Sequence, residues 1–208
     1  MGCHQEAKRQ HVYSSRKHCS MTQHGAQELE HELPLLRSGL TIAADSCSLI
    51  FLGRMGLLQE YRAVHTILLT RAVYDEVTRV PLHAATGENR KPCTELLCVN
   101  VADLPVPATS GRPMRAGLSA ADRSIVDAYH CLHAAGILTD DKAVCRHCRH
   151  QAIPYINTPM ALFVLLYHGR LSHNDYTDAL RTLYGMGRYG QFVHDYMDTL
   201  YRRYRAGT

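Results

Sequence analysis

The chain has 208 residues, 46% of them hydrophobic and 20% charged, with no Trp. That length is enough for one substantial core with appendages, and the composition is that of a globular protein rather than a fibrous or disordered one. A formal net charge of +4 permits an acidic partner such as nucleic acid without demanding one.

The opening stretch, "MGCHQEAKRQHVYSSRKHCS", is polar and basic and lacks the apolar core of a signal peptide. The eight cysteines are therefore expected as reduced thiols in a cytoplasmic protein rather than as a disulfide framework. Residues 1–36 read as a polar, His-rich and loosely attached extension, with a short helix expected in "AQELEHELPLL" before Pro34. From Leu40 the pattern changes. A short apolar run to Ala44 ends in Asp45 and passes into a helical stretch containing Leu49, Ile50, Leu52 and Met55, which predicts a buried strand followed by a helix. "VHTILLT" then reads as a strand and "RAVYDEVTRV" as a helix. The segment 82–117 is irregular apart from a strand expected at "LLCVNV".

"SAADRSIVDAYHCLHAAG" predicts a helix capped by Ser119 and ended by Gly136. "ILTD" reads as a strand, "DKAVCRHCRHQA" as a helix, "IPYIN" as a strand and "TPMALFVLLYHG" as a helix. Two more helices are expected in "LSHNDYTDALRTLYGMG" and "QFVHDYMDTLYRRYR". Short apolar strands alternating with helices imply a three-layer α/β/α sandwich, Rossmann-like, around a mainly parallel sheet. The expected organisation is an extension over 1–36, a core domain over 37–170 and C-terminal helices over 171–208 that pack on it or extend it. No stretch approaches the roughly 20 apolar residues that span a bilayer, so no membrane association is expected. No glycine-rich phosphate fingerprint follows the first strand.

In a parallel α/β sheet, ligands gather outside the carboxyl ends of the strands. Asp45 and Asp140 stand at two such ends, Glu76 lies in the helix after "TILLT", and Asp122 is in the first turn of its helix. Carboxylates gathered in a cleft repel one another unless a cation offsets their charge; Mg²⁺ or Mn²⁺ is the natural one, and it suits water activation against a phosphodiester. Each acid also has an ordinary explanation. Asp45 and Asp140 fit as helix caps, Asp122 as the acid of a capping box begun by Ser119, and Glu76 as a solvated helix residue.

Taken together, "IAADSCSLIFLGRMGLL", "ILLTRAVYDEV", "LSAADRSIVDAYHCLHAAGILTDDKAV" and "IPYINTPMALFVLLYHGRLS" resemble a PIN domain, the fold of VapC-type toxin ribonucleases and of stand-alone prokaryotic PIN nucleases. The resemblance runs from about residue 40 to 172, and the two terminal helices resemble those that follow the domain in such proteins. It places the four family acids on Asp45, Glu76, Asp122 and Asp140, with Asp141 beside the last as an outer acid. Asp122 is preceded by Ala where this branch of the family often has a Gly-Glu motif. Thr139 and Thr158 match hydroxyl residues that the family carries near its acids.

The resemblance implies a divalent-metal-dependent endoribonuclease acting on single-stranded RNA. Asp45, Asp122 and Asp140 would hold Mg²⁺ or Mn²⁺, and Glu76 would help to hold it or to position the attacking water. It also implies a toxin–antitoxin setting with an antitoxin partner, and a homodimer. The alternative is a catalytically silent PIN-like module that binds RNA or protein. Lys142 and Arg146, one turn apart beside Asp140, are placed by helix geometry to meet substrate phosphate, with Thr139 and Thr158 as further contacts.

The cluster "CRHCRH" at 145–150 attracts a zinc reading, as does "YHCLH" with His130, Cys131 and His133. A zinc site is nonetheless not expected, because the CxxC falls inside a helix with no second pair at finger-like spacing. Cys145 and Cys148 are expected to pack on one helix face, leaving His147 and Arg149 nearer solvent. At the C-terminus, Arg202, Arg203 and Arg205 interleaved with Tyr201 and Tyr204 offer either RNA contacts or a solvated basic helix end that suits the helix dipole.

Overall fold

The computed structural model describes residues 23–79, 101–102, 117–186 and 189–207. The first 22 residues and most of the irregular segment 82–117, including nearly all of "LLCVNV", lie outside the described residues. Within them the chain builds a five-stranded, all-parallel sheet in the order β3-β2-β1-β4-β5. The strands are β1 (Thr41–Ala44), β2 (Thr66–Thr70), β3 (Val101–Ala102), β4 (Gly136–Leu138) and β5 (Tyr155–Ile156). The helices are α1 (Gln23–Glu32), α2 (Ser46–Arg54), α3 (Leu58–Arg62), α4 (Arg71–Arg79), α5 (Ala120–Cys131), α6 (Lys142–His150), α7 (Thr158–Tyr167), α8 (His173–Gly185) and α9 (Gln191–Gly207). Together they form the three-layer α/β/α arrangement expected from the alternation of apolar runs and helices.

Strand β1 is central. Ile42 pairs with Ile67 on one side and with Gly136 on the other, and Ile42, Ala43 and Ala44, which point alternately to the two faces, are all fully buried. That is why the run is apolar without alternation. Helix α5 packs across β1, β2 and β4. Helix α7 is apolar all round and buried from Thr158 to Leu166, the pattern of a helix enclosed by other elements. The C-terminal helices pack onto it: the Phe163 ring meets the edges of Tyr176 and Tyr204, with centroids 6.3 and 5.7 Å apart.

Two expectations are corrected. The segment just before Arg37 is not loosely attached. Leu29, Leu35 and Leu36 enter the core, and Leu36 has 0% exposure. Tyr167 donates to Glu30, a His168 ring nitrogen lies 2.6 Å from the Leu36 carbonyl, and Arg203 pairs with Glu32 through both terminal nitrogens. The second concerns Gly136, which does not end α5. The helix stops at Cys131, His133 takes a left-handed turn conformation (φ 51°), and Gly136 is already the first residue of β4.

His65, between α3 and β2, is 1% exposed, with its ring set edge-on to Tyr61. Burial first, and then the neighbouring His168, push its imidazole down to about 4, whereas an unfolded chain carries His near 6.5. The ring is thus neutral in the fold, and the unfolded state binds the extra proton between those values. Its contribution to stability is complete above pH about 6.5 and is lost as pH falls towards 4, by on the order of 3 kcal/mol. Urea midpoints measured at pH 7 and pH 4.5 are expected to fall less for His65→Leu than for the wild-type chain.

Candidate functional site

The strand ends set the site. β1 and β4 are neighbours, Ala44 opposite Leu138, so Asp45, directly after β1, and Asp140, one residue beyond Thr139 at the end of β4, emerge close together at the carboxyl edge of the sheet. Asp45 also caps α2. Its Oδ1 accepts from the Ser48 amide at 2.7 Å, while Oδ2 accepts from the Thr139 hydroxyl at 2.5 Å and the Asp140 amide at 3.1 Å. Asp140 accepts on Oδ1 from the Thr158 amide at 3.0 Å. Its Oδ2 accepts from the Ser48 hydroxyl at 3.1 Å and from the Thr158 hydroxyl. The two residues are therefore linked through Ser48, which bonds to both carboxylates, and through the Asp140 amide on Asp45, while Thr139 holds Asp45 and Thr158 holds Asp140.

Burial separates their roles. Asp45 is 4% exposed, and burial raises its pKa against the opposing effect of the Thr139 and Ser48 bonds, with the charge of Asp140 raising it further. Asp140 is only half-buried and forms the solvent side of the pair. A carboxylate offers about four acceptor positions, and each of these groups receives three bonds, so about one position on each remains for a cation or a water. Thr139 and Thr158 are buried hydroxyls that orient the acids rather than reach outward. Replacing either by Val keeps the shape but removes a hydrogen bond to a carboxylate. Each variant is expected to lose about 2 kcal/mol of unfolding free energy, read from denaturant midpoints.

The other expected site residues are placed differently. Asp122 sits in the capping box of α5, its Oδ2 accepting from the Ser119 amide at 2.9 Å while its own amide donates to Ser119 Oγ at 3.0 Å. Glu76 is exposed on α4. Among the described residues no third His, Cys, Asp or Glu joins Asp45 and Asp140 in a metal-holding group. Asp141 caps α6, its Oδ1 accepting from the amides of Ala143 and Val144. Lys142 and Arg146 are exposed on α6, and Arg146 directs its Nε to the Lys142 carbonyl at 3.3 Å.

Ser48 was not singled out by the sequence reading. Its signal is the spacing Asp45-x-x-Ser48 at a helix start, which puts the amide on one acid and the hydroxyl on the other. A second hydroxyl pair lies at the end of β2, where Thr70 Oγ1 is 2.6 Å from Ser124 Oγ and fixes the first turns of α5 to the strand.

Cys148 is buried, and burial pushes its thiol up to about 12 and that of Cys145 up to about 11. Neither forms a thiolate readily, which fits packing rather than redox chemistry. His147 is 4% exposed, a correction to its expected place nearer solvent. Val144 and Cys148, one turn apart, define the buried face, and His147 flanks it. Tyr204 is buried and Tyr201 stacks on Tyr176 at 5.3 Å, so these rings are taken up in packing rather than open to bases.

Donor chemistry bears on a cation at this place. Mg²⁺ is usually held by one or two carboxylates, with water and substrate phosphate completing its shell, and Asp45 with Asp140 meets that requirement. The expected four-acid set is not assembled in this arrangement. Comparison of the chain with protein-family models, curated proteins and solved structures finds no match.

Proposed function

We propose that the chain is a divalent-metal-dependent endoribonuclease that cleaves phosphodiester bonds of single-stranded RNA, as the resemblance to PIN domains implies. The toxin half of a toxin–antitoxin pair, with an antitoxin protein as partner and a homodimer as the working form, is the setting that resemblance suggests. The observation that carries the reading is the pairing of Asp45 and Asp140 at adjacent carboxyl strand ends, bridged by Ser48, with Thr139 on the first acid and Thr158 on the second. Bound there, Mg²⁺ or Mn²⁺ would supply the charge that offsets the phosphodiester and lowers the pKa of a water molecule. Asp140 presents the accessible carboxylate. Asp45 stands behind it, held in one rotamer by Thr139 and Ser48, and Thr158 fixes the plane of the Asp140 carboxyl group. Asp122 and Glu76 contribute in this reading only once their side chains turn from the capping box and from solvent towards the pair.

A second reading, a module that binds RNA or a partner without turnover, is favoured by one observation: the Asp122 carboxylate is already engaged in helix capping. Incubating folded protein with a broad RNA panel in Mg²⁺ or Mn²⁺ separates the two. Cleavage supports the nuclease, whereas binding with all RNAs intact supports the silent module. Removal of residues 1–22 is the suitable test of the polar extension, since deletion to 36 would take Leu29, Leu35 and Leu36 out of the core.

A further inference from the structure

Helix α6 starts directly after the acids and turns two unlike faces outward and inward. Val144, His147 and Cys148 are buried, whereas Lys142, Arg146, Arg149 and His150 are exposed. The exposed four are spaced i, i+4, i+7 and i+8 and share one side of the helix. From Lys142 to Arg149 they extend about 10 Å away from Asp140 at 1.5 Å per residue. The helix itself contains no acidic residue. Arg146 and Arg149 each direct Nε to the carbonyl four residues back, which lays their guanidinium groups along the helix surface.

The stripe has an aromatic neighbour. Tyr155 lies half-buried on β5, the edge strand that follows α6, close enough to Arg149 for the guanidinium charge to act on its phenol. A basic row with an aromatic ring at its side is what a single-stranded nucleic acid needs, with phosphates on the cations and a base on the ring. An acidic peptide or an anionic lipid surface would use the charges but not the ring.

We infer that the outward face of α6, with Tyr155 beside it, is a track that holds single-stranded RNA and leads it to Asp140 and Asp45. This rests on the proposed ribonuclease reading for the destination of the strand, although binding to the track itself does not require cleavage. The track assigns to Arg149 and Tyr155 a role beyond the two cations nearest the acids.

Binding of a fluorescent 12-nucleotide oligouridylate, followed by anisotropy across a salt series, tests it. The full chain carrying Asp45→Asn is used so that the strand stays intact. Each phosphate contact on a single strand contributes roughly 0.7 to the slope of log Kd against log salt. Combining Lys142→Gln, Arg146→Gln and Arg149→Gln is therefore expected to flatten the slope by about 2. A control with Arg37→Gln, Arg54→Gln and Arg181→Gln, equal in charge but off the stripe, is expected to leave it unchanged. Tyr155→Ala is expected to weaken binding roughly tenfold with the slope retained.

An unchanged slope in the stripe variant overturns the track, as does equal flattening in the control. A stripe that governs binding to phosphatidylserine vesicles or to an oligoglutamate peptide but not to RNA also overturns it. The cleavage assay is read separately. Stripe-dependent binding by wild-type protein that leaves RNA intact sinks the nuclease reading and keeps the track; cleavage with an unchanged KM in the stripe variant does the reverse.

Discussion

Asp45→Asn is expected to abolish RNA cleavage, by about 100-fold or more, while changing stability by only about 1 kcal/mol. The chemistry and the fold ask different things of this carboxylate. For the fold, an amide oxygen at Oδ1 still accepts from the Ser48 amide, so the α2 cap survives. At Oδ2 the new NH₂ faces the Asp140 amide, another donor, so that bond is lost, and the Thr139 hydroxyl has to turn from donor to acceptor to keep its contact. Against this loss stands a gain: the native charge is 4% exposed and lies beside the charge of Asp140, so neutralising it removes a desolvation cost and a repulsion. The two effects roughly offset. For the chemistry there is no offset, because the buried negative charge that backs Asp140 is gone. Cleavage rates with Mg²⁺ or Mn²⁺, taken beside urea midpoints on the same preparation, check both halves. A folded variant with wild-type cleavage would remove Asp45 from the site.

The strand ends of that site were legible from local pattern alone. An apolar run ending in Asp45 and a second ending in Asp140 put both acids on the carboxyl edge as soon as the sheet is parallel, and the register of Ala44 opposite Leu138 makes them neighbours. The capping box at Ser119 and Asp122 was equally readable, because both bonds are local and need nothing from the rest of the fold. What local pattern did not decide is which use of Asp122 prevails. A carboxylate three residues after a Ser at a helix start has a cap within reach, whereas a cation site needs convergence from distant segments.

Ser48 was illegible for a related reason. A Ser in the first turn of a helix is ordinary, and only the pairing of β1 with β4, which sets the start of α2 beside the end of β4, brings its hydroxyl to Asp140, 92 positions along the chain. The burial of the leucines at 29, 35 and 36 was obscured by their setting. Charged and polar residues dominate α1, yet three leucines fall where α1 and the turn after it meet the core. His147 was misplaced by taking Cys145 and Cys148 as the centre of the buried face, when Val144 and Cys148 are.

Gly136→Val is expected to cost about 3 kcal/mol or more and to leave little folded protein. Glycine there reads in sequence as the stop of a helix, but the backbone at this position is an ordinary strand, paired with Ile42 of β1. The demand is for space. A Cβ would stand 2.8 Å from Leu35 Cδ1 and 2.9 Å from the Pro154 carbonyl oxygen. The leucine methyl has some freedom to move; the carbonyl has almost none, since it accepts the Ile137 amide at 3.0 Å and so starts the β4–β5 ladder. Pushing it away opens that ladder one residue before Tyr155, and the same displacement reaches Thr139, whose amide donates to the Ile156 carbonyl at 2.9 Å. Thr139 in turn holds Asp45. Gly136→Ala is therefore the informative milder variant. It is expected to fold with a lowered midpoint and to lose cleavage in larger proportion than stability, because a shift of a few tenths of an ångström is tolerable to packing and not to two carboxylates that must meet one cation. Equal losses in cleavage and in folded fraction would show that the strand end does not transmit the strain to the acids.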